Sequence, residues 1–301
     1  MPLGTIWELW QSFFFRQESA VPIAVFRIGF GVCLLIEAAL TAVDLDRVYG
    51  ERGVLPHSLW RQARDAPGTG FVPRGRIYWA CFRFGAFYRL FFALHVLAVI
   101  ALTVGWRTRG SALVSWVTLR LLQERNVFAI GGYEASYRLL LFLLIFAPSG
   151  SALSVDAWLA THSLVPNIRV DAWAIQLVRL QVCWFIVDTA WHKLHGKGWT
   201  SGEAIFRLME FARQRPELAR GLTGVVLPEG MCRPWVYRLM SRGTLAVQLV
   251  CPFGLWIDEW RAASLALLVV HHIGIQIMMN VGLYQPMMIV GLSLFWNWGR
   301  A

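Results

Sequence analysis

Asp188, His192, Lys193, His195 and Lys197 crowd into the stretch 183–206, CWFIVDTAWHKLHGKGWTSGEAIF, where an apolar run gives way to a Gly-rich turn. On a helix, Asp188, His192 and His195 stand at i, i+4 and i+7 and share one stripe, while Lys193 projects about 100° round from His192. The chain has 28 basic residues, yet its two lysines, Lys193 and Lys197, both lie here. Arg keeps its proton at accessible pH, whereas a desolvated Lys can give it up. The stretch therefore suits proton transfer, with Lys193 as general base towards a weak acid. The plainer alternative has the lysines binding lipid phosphate and the histidines serving as interfacial polar residues. D-x3-H-x2-H is a weak ligand signature without a second cluster, so no metal is expected.

A second constellation lies in HHIGIQIMMNVGLYQP. His272, Gln276 and Asn280 recur at i, i+4 and i+8 beside His271, a polar stripe in an apolar segment that should face a cavity or another polar helix face. Met278, Met279, Met287 and Met288 would supply an adaptable wall suited to a lipid-like ligand, or ordinary core packing.

The elements that must position these groups follow from composition. The 301 residues are 57% hydrophobic and 15% charged, with a mean hydropathy of +0.51. Soluble proteins carry roughly 25% charged and 45–50% apolar residues. Apolar runs of spanning length recur throughout, and no polar linker is long enough to divide them. The expectation is an all-α, polytopic integral membrane helical bundle, a single domain over 1–301 with about eight transmembrane segments plus interfacial amphipathic helices. The net charge of +10 invites a nucleic-acid reading. The basic residues, however, sit in loops between apolar runs, so the bilayer with its anionic headgroups is the expected partner and nucleic acid is not. The five cysteines show no C-x-x-C spacing and read as small core residues. No removable signal peptide is expected.

In chain order, Trp7, Trp10, Phe13 and Phe14 predict an interfacial helix within 1–19. The first span, 21–42, holds Arg27 and Glu37. Each intramembrane charge costs about 2.5–3.5 kcal/mol on insertion scales and should face the protein interior or an interface. Ten residues apart, about 15 Å of helix, they cannot pair with each other. A long interfacial loop covers 43–85, and further spans are expected at 86–105, 111–130, 136–148 and 172–194. His95, in the second, reads as a hydrogen-bonded core residue. A second long interfacial loop covers 195–242 and carries an amphipathic helix, before spans at 243–257, 262–281 and 283–298. The segment RNVFAIGGYEASYR, with Glu134, suggests either irregular backbone at membrane depth or a simple loop between two helices.

Several short motifs occur in a telling order: Arg27-Ile28-Gly29, Tyr49-x3-Gly53-Val54-Leu55-Pro56, Gly131-Gly132, Ser154-Val155-Asp156, and His192-Lys193-Leu194-His195 followed by Trp199-x2-Gly202. His272 then lies ten residues before Gly282. Together they resemble the horizontally transferred transmembrane (HTTM) domain, the membrane portion shared with vitamin K-dependent γ-glutamyl carboxylases. The fifth motif is similar to the carboxylase pattern K-K-L-D-x-x-W-x-x-G, whose second lysine is the base that deprotonates reduced vitamin K. It maps onto Lys193, with His192 in place of the first lysine and His195 in place of the Asp. The family His before Ser-Tyr, thought to tune that lysine, is Ala135 here, before Ser136-Tyr137; Glu134, His192, His271 or His272 are the candidate substitutes. The resemblance thus implies Lys193, His192 and His272 as catalytic candidates. His195, Trp199, Gln276, Asn280 and Glu134 are the candidates for contacting substrate.

It also implies a reduced quinone or other lipophilic small molecule as reactant. No counterpart of the large lumenal region of true carboxylases follows, so protein γ-carboxylation is not expected. The competing expectation is a non-catalytic binding or maturation partner of a co-encoded secreted peptide or redox protein. Either way, the expected location is a cell membrane, multi-pass, of the bacterial inner-membrane type.

Overall fold

A computed structural model describes residues 3–56, 58–59, 62, 87–126, 132–214, 233–279, 281–296 and 298. Twelve α-helices are described, joined by one two-stranded ribbon, so the all-α expectation holds apart from that ribbon. The chain divides into two compact units, Met1–Val178 and Arg179–Ala301.

In the first unit, α1 (Leu3–Phe14) leaves Ile6, Trp7, Leu9 and Trp10 exposed. β1 (Gln17–Ser19) pairs antiparallel with β2 (Arg169–Asp171), Gln17 opposite Asp171. α2 (Val21–Val43) follows, with Pro22 in its first turn, where a missing N–H costs nothing. It packs on α4 (Phe87–Val104), which packs on α5 (Thr108–Arg125), and that in turn on α6 (Gly132–Phe146). Phe26 and Phe30 of α2 stack with their rings 5.5 Å apart, and Tyr137 of α6 meets Phe30 edge-on at 6.0 Å.

Arg27 is fully buried within α2. Its guanidinium donates to the carbonyls of Ser149, Ala152 and Leu153, the turn after α6. The intramembrane charge is thus met by backbone dipoles, as its cost demands. Three residues on, Asp156 in α7 (Val155–Thr161) accepts from the amides of Arg107 and Thr108 at 2.7 and 2.8 Å and from the Thr108 hydroxyl at 2.6 Å. Arg107 precedes α5 and offers no side-chain cap of its own, so Asp156 supplies the missing acceptor at that helix N-terminus. Ser154 caps α7 itself, accepting from Ala157 N at 2.9 Å. Burial would raise the Asp156 pKa. The Thr108 hydroxyl and amide, the Arg107 amide and the nearby Arg27 charge outweigh it and hold the carboxyl below its usual range.

The Tyr49-to-Pro56 motif is pinned in a similar way. α3 (Leu45–Tyr49) precedes it, and the end of α5 grips it through Asn126 to the Val48 carbonyl (2.6 Å) and Arg125 to the Leu55 carbonyl (2.8 Å). A Cβ on Gly53 would collide with the Arg47 carbonyl oxygen, which explains the glycine there. Most of the expected 43–85 loop, including Trp60 and Trp79, and Gly131 of the Gly-Gly break lie outside the described residues.

The second unit receives the last turns of α8 (Trp173–His195), then α9 (Glu203–Gln214), α10 (Pro234–Gly254), α11 (Asp258–Met278), α12 (Tyr284–Leu292) and a 3-10 turn, Ser293–Phe295. α9 packs on α10, α10 on α11 and α11 on α12. Buried Arg179 donates through Nε and Nη2 to the Leu294 carbonyl at 3.0 and 2.9 Å, which anchors the 3-10 turn to α8.

Three described helices, α2, α4 and α11, are long and apolar enough to cross a membrane. The other expected spans coincide with helices that fall short of that standard. α6 has 15 residues and α12 has 9, while α5, α8 and α10 carry several charged or amide side chains within their length.

Candidate functional site

The site lies wholly in the second unit. α8 ends at His195, and the chain turns through Gly198 and Gly202, at φ 92° and 85°, into α9. Those angles suit glycine, which bears no Cβ penalty there. Gly202 also presses on the backbone of α10, where a Cβ would come within 2.6 Å of Arg238 N. The Trp199-x2-Gly202 spacing thus sets Trp199 back against the end of α8. Ile205, Met209 and Tyr237 form the core of this junction, with Trp199, Leu208, Met240 and Met278 packed around it.

Beside the junction is a cavity of about 410 Å³ enclosed by α8, α9, α10, α11 and α12. Lys193 reaches into it, half-buried, with Nζ donating to Gln248 Oε1 at 2.9 Å and lying 4.8 Å from the centre of the Trp199 ring. A neutral amide oxygen and an aromatic face are its two partners, and no carboxylate is among the described lining residues. His272, 2% exposed, bonds Gln285 Oε1 through Nδ1. Because an amide oxygen can only accept, Nδ1 carries the proton and Nε2 is left as an acceptor. Both His272 Nε2 and His271 Nε2 are buried without a hydrogen-bond partner, and both residues line the cavity. The remaining wall is mostly apolar: Ile186, Ile205, Leu208, Ile275, Met278 and Met279.

The structure sorts the sequence candidates unevenly. Lys193, Trp199, His271 and His272 come together on the cavity. The Asp188–His192–His195 stripe exists but belongs to an exposed face. His192 Nε2 lies 3.6 Å from Asp188, with its side chain 77% exposed, and His195 Nδ1 bonds the Trp191 carbonyl at 2.9 Å. None of the three lines the cavity; the helical rotation that separates Lys193 from His192 decides which of them reaches it. Gln276 is not among the lining residues either. Both of its amide heteroatoms are buried without partners, for which the structure offers no explanation. Asn280 lies outside the described residues. Glu134 lines a different cavity, in the first unit, and Ala135 is exposed there.

Gln248 and Gln285 were not anticipated. Each is an amide inside an apolar helix, which needs a partner as any intramembrane polar group does, and that is the signal by which they could have been found. Of the methionines expected to form the wall, Met278 and Met279 do so; Met287 and Met288 are 1% exposed core residues.

With this geometry in hand, the comparison with known families is decisive: the model of the HTTM domain matches residues 78–298. The chain belongs to the HTTM family. The match takes in the whole cavity, from α8 to α12, and HTTM domains are associated with the membrane domain of vitamin K-dependent carboxylases. No curated protein and no solved structure matches the chain. As an HTTM protein with three long apolar helices, it is a membrane protein.

Proposed function

We propose that this HTTM protein is a multi-pass protein of the bacterial inner membrane that binds a lipophilic weak acid of the quinol type in the cavity of its second unit. Lys193, as the free amine, takes the substrate's proton. The observation that carries this reading is the setting of Nζ: drawn into an apolar cavity, bonded to a neutral amide and facing an indole ring. A carboxylate beside Nζ would hold it as an ammonium; an amide oxygen does so far less. The cavity volume falls within the range of small-molecule sites.

In the step proposed, a substrate hydroxyl docks on the Nζ lone pair and its proton passes to nitrogen. The ammonium formed is received by Gln248 Oε1 and the Trp199 face, the latter a cation–π contact. His272 Nε2, fixed as an acceptor by Gln285, takes the second hydroxyl of a quinol and so orients the ring. Trp199 and His272 bind and orient; Lys193 alone exchanges a proton. His192, His195, Gln276 and Glu134 have no part in this step.

The test compares wild type with Lys193→Arg in nanodiscs across pH, following naphthoquinol binding and the oxidation of the bound quinolate by dissolved dioxygen, which takes the two electrons and leaves as hydrogen peroxide. Arg retains the charge but cannot act as a base, so pH-dependent turnover should vanish while the protein still folds. Full activity of Lys193→Arg in the native host would sink the base. It would leave a binding or maturation partner of a co-encoded secreted peptide or redox protein, to be sought by crosslinking in native membranes.

A further inference from the structure

We infer that a second cavity, confined to the first unit, is a binding site for a small organic primary ammonium ion. It measures about 220 Å³. Two carboxylates line it, Glu37 from the C-terminal third of the apolar helix α2 and Glu134 from the first turn of α6. No Arg or Lys is among its described lining residues. The basic side chain present, His95, bonds the Thr118 hydroxyl at 3.0 Å through Nδ1.

Two carboxylates facing one small cavity repel each other, and an intramembrane acid normally pairs with something. Three further polar atoms of the lining are unmatched. Gln123 Oε1, Glu134 Oε2 and the Tyr137 hydroxyl are all buried without a hydrogen-bond partner. Gln123 and Tyr137 are 5% and 1% exposed. The Gln123 amide nitrogen donates to the Glu134 carbonyl at 3.1 Å, which fixes its orientation and leaves Oε1 as an acceptor.

The unmet groups are therefore two acceptor oxygens, a phenol that can accept as well as donate, and negative charge, and a primary ammonium carries three N–H donors and one positive charge. A quaternary ammonium brings the charge but no donors, and would leave Gln123 and Glu134 as they are. A metal ion fits less well: among the described residues, no three His, Cys, Asp or Glu side chains are grouped to hold one. The cavity is also several times the roughly 30 Å³ that one water occupies in the liquid. Tyr49, Phe92 and Tyr133 add aromatic faces for the cation and its apolar body.

The experiment is calorimetric titration of the full-length protein in detergent micelles with benzylammonium chloride, with tetramethylammonium and calcium chlorides as controls. Saturable one-site binding of benzylammonium is expected, weakened at least tenfold in Glu37→Gln and in Glu134→Gln. Ligand-free Glu37→Gln should melt no lower than wild type, because it removes an uncompensated charge; a purely structural carboxylate would give the opposite. No saturable binding to wild type, or equal affinity of wild type and Glu37→Gln, would overturn the proposal. So would tighter binding of tetramethylammonium or calcium than of benzylammonium.

Discussion

Lys193 and Gln248 face each other from α8 and α10 at 2.9 Å, and the character of that pair sets what the amine can do. Gln248→Glu tests it with a near-isosteric change. A carboxylate beside the amine favours the ammonium by roughly 1–3 pK units. Quinol turnover at neutral pH should therefore fall on the order of tenfold or more and recover at alkaline pH. A flat loss at every pH would point instead to damaged packing. His272→Phe should raise KM more than it lowers kcat, since in the proposed step the ring orients the quinol without exchanging a proton; the kcat/KM split at fixed pH decides this. Spacing revealed that Asp188, His192 and His195 share a stripe, but periodicity states which residues lie together and not which face is inward. The cavity lies on the Lys193 side, and Lys193's partner stands 55 residues downstream on another helix, where no local pattern points to it.

At the scale of elements, the family motifs prove to be joints. Arg27 holds the turn after α6, and Asp156 completes the N-terminus of α5. Replacing Asp156 by Ala should cost on the order of 1–2 kcal/mol, the range for losing an N-terminal cap, read as a lower thermal midpoint in micelles. The pH dependence has a definite sign. The folded-state pKa of Asp156 is below its unfolded value, so its contribution is complete above the unfolded pKa and is lost as pH falls through the folded one. Wild type should therefore lose stability in acid more steeply than Asp156→Asn. Gly202→Ala should destabilise the second unit by about 2 kcal/mol or more, combining a left-handed backbone with overpacking against α10; chemical-denaturant midpoints would show it. The sequence marks these joints as Gly, Asp and Arg in unusual places. It leaves their partners unknown, because each bonds a backbone group from a distant segment.

For the whole molecule, hydropathy made the membrane and the helical class legible, since apolar runs recur from end to end. Eight spans are the reading of the sequence, whereas three described helices meet the length and apolarity of a span, because α6 and α12 are short and α5, α8 and α10 carry several charged or amide side chains. α1 leaves Trp7 and Trp10 exposed, and the membrane interface is the position proposed for them. A spin label on Trp10→Cys should be reached from both the aqueous and the lipid side in liposomes; access from water alone would argue against that position. The ribbon of β1 and β2 bears on biosynthesis. It joins residues 17–19 to 169–171, and the Arg16 carbonyl accepts from Ala172, at the threshold of α8. Closing a loop of that length costs about 4 kcal/mol in chain entropy beyond a constant, and it cannot close until the ribosome has passed residue 171. The helix that carries the lysine is therefore launched from a seam whose first strand waits through most of translation. A nascent chain arrested before that point should leave its N-terminal strand open to protease, and one arrested well after it should not.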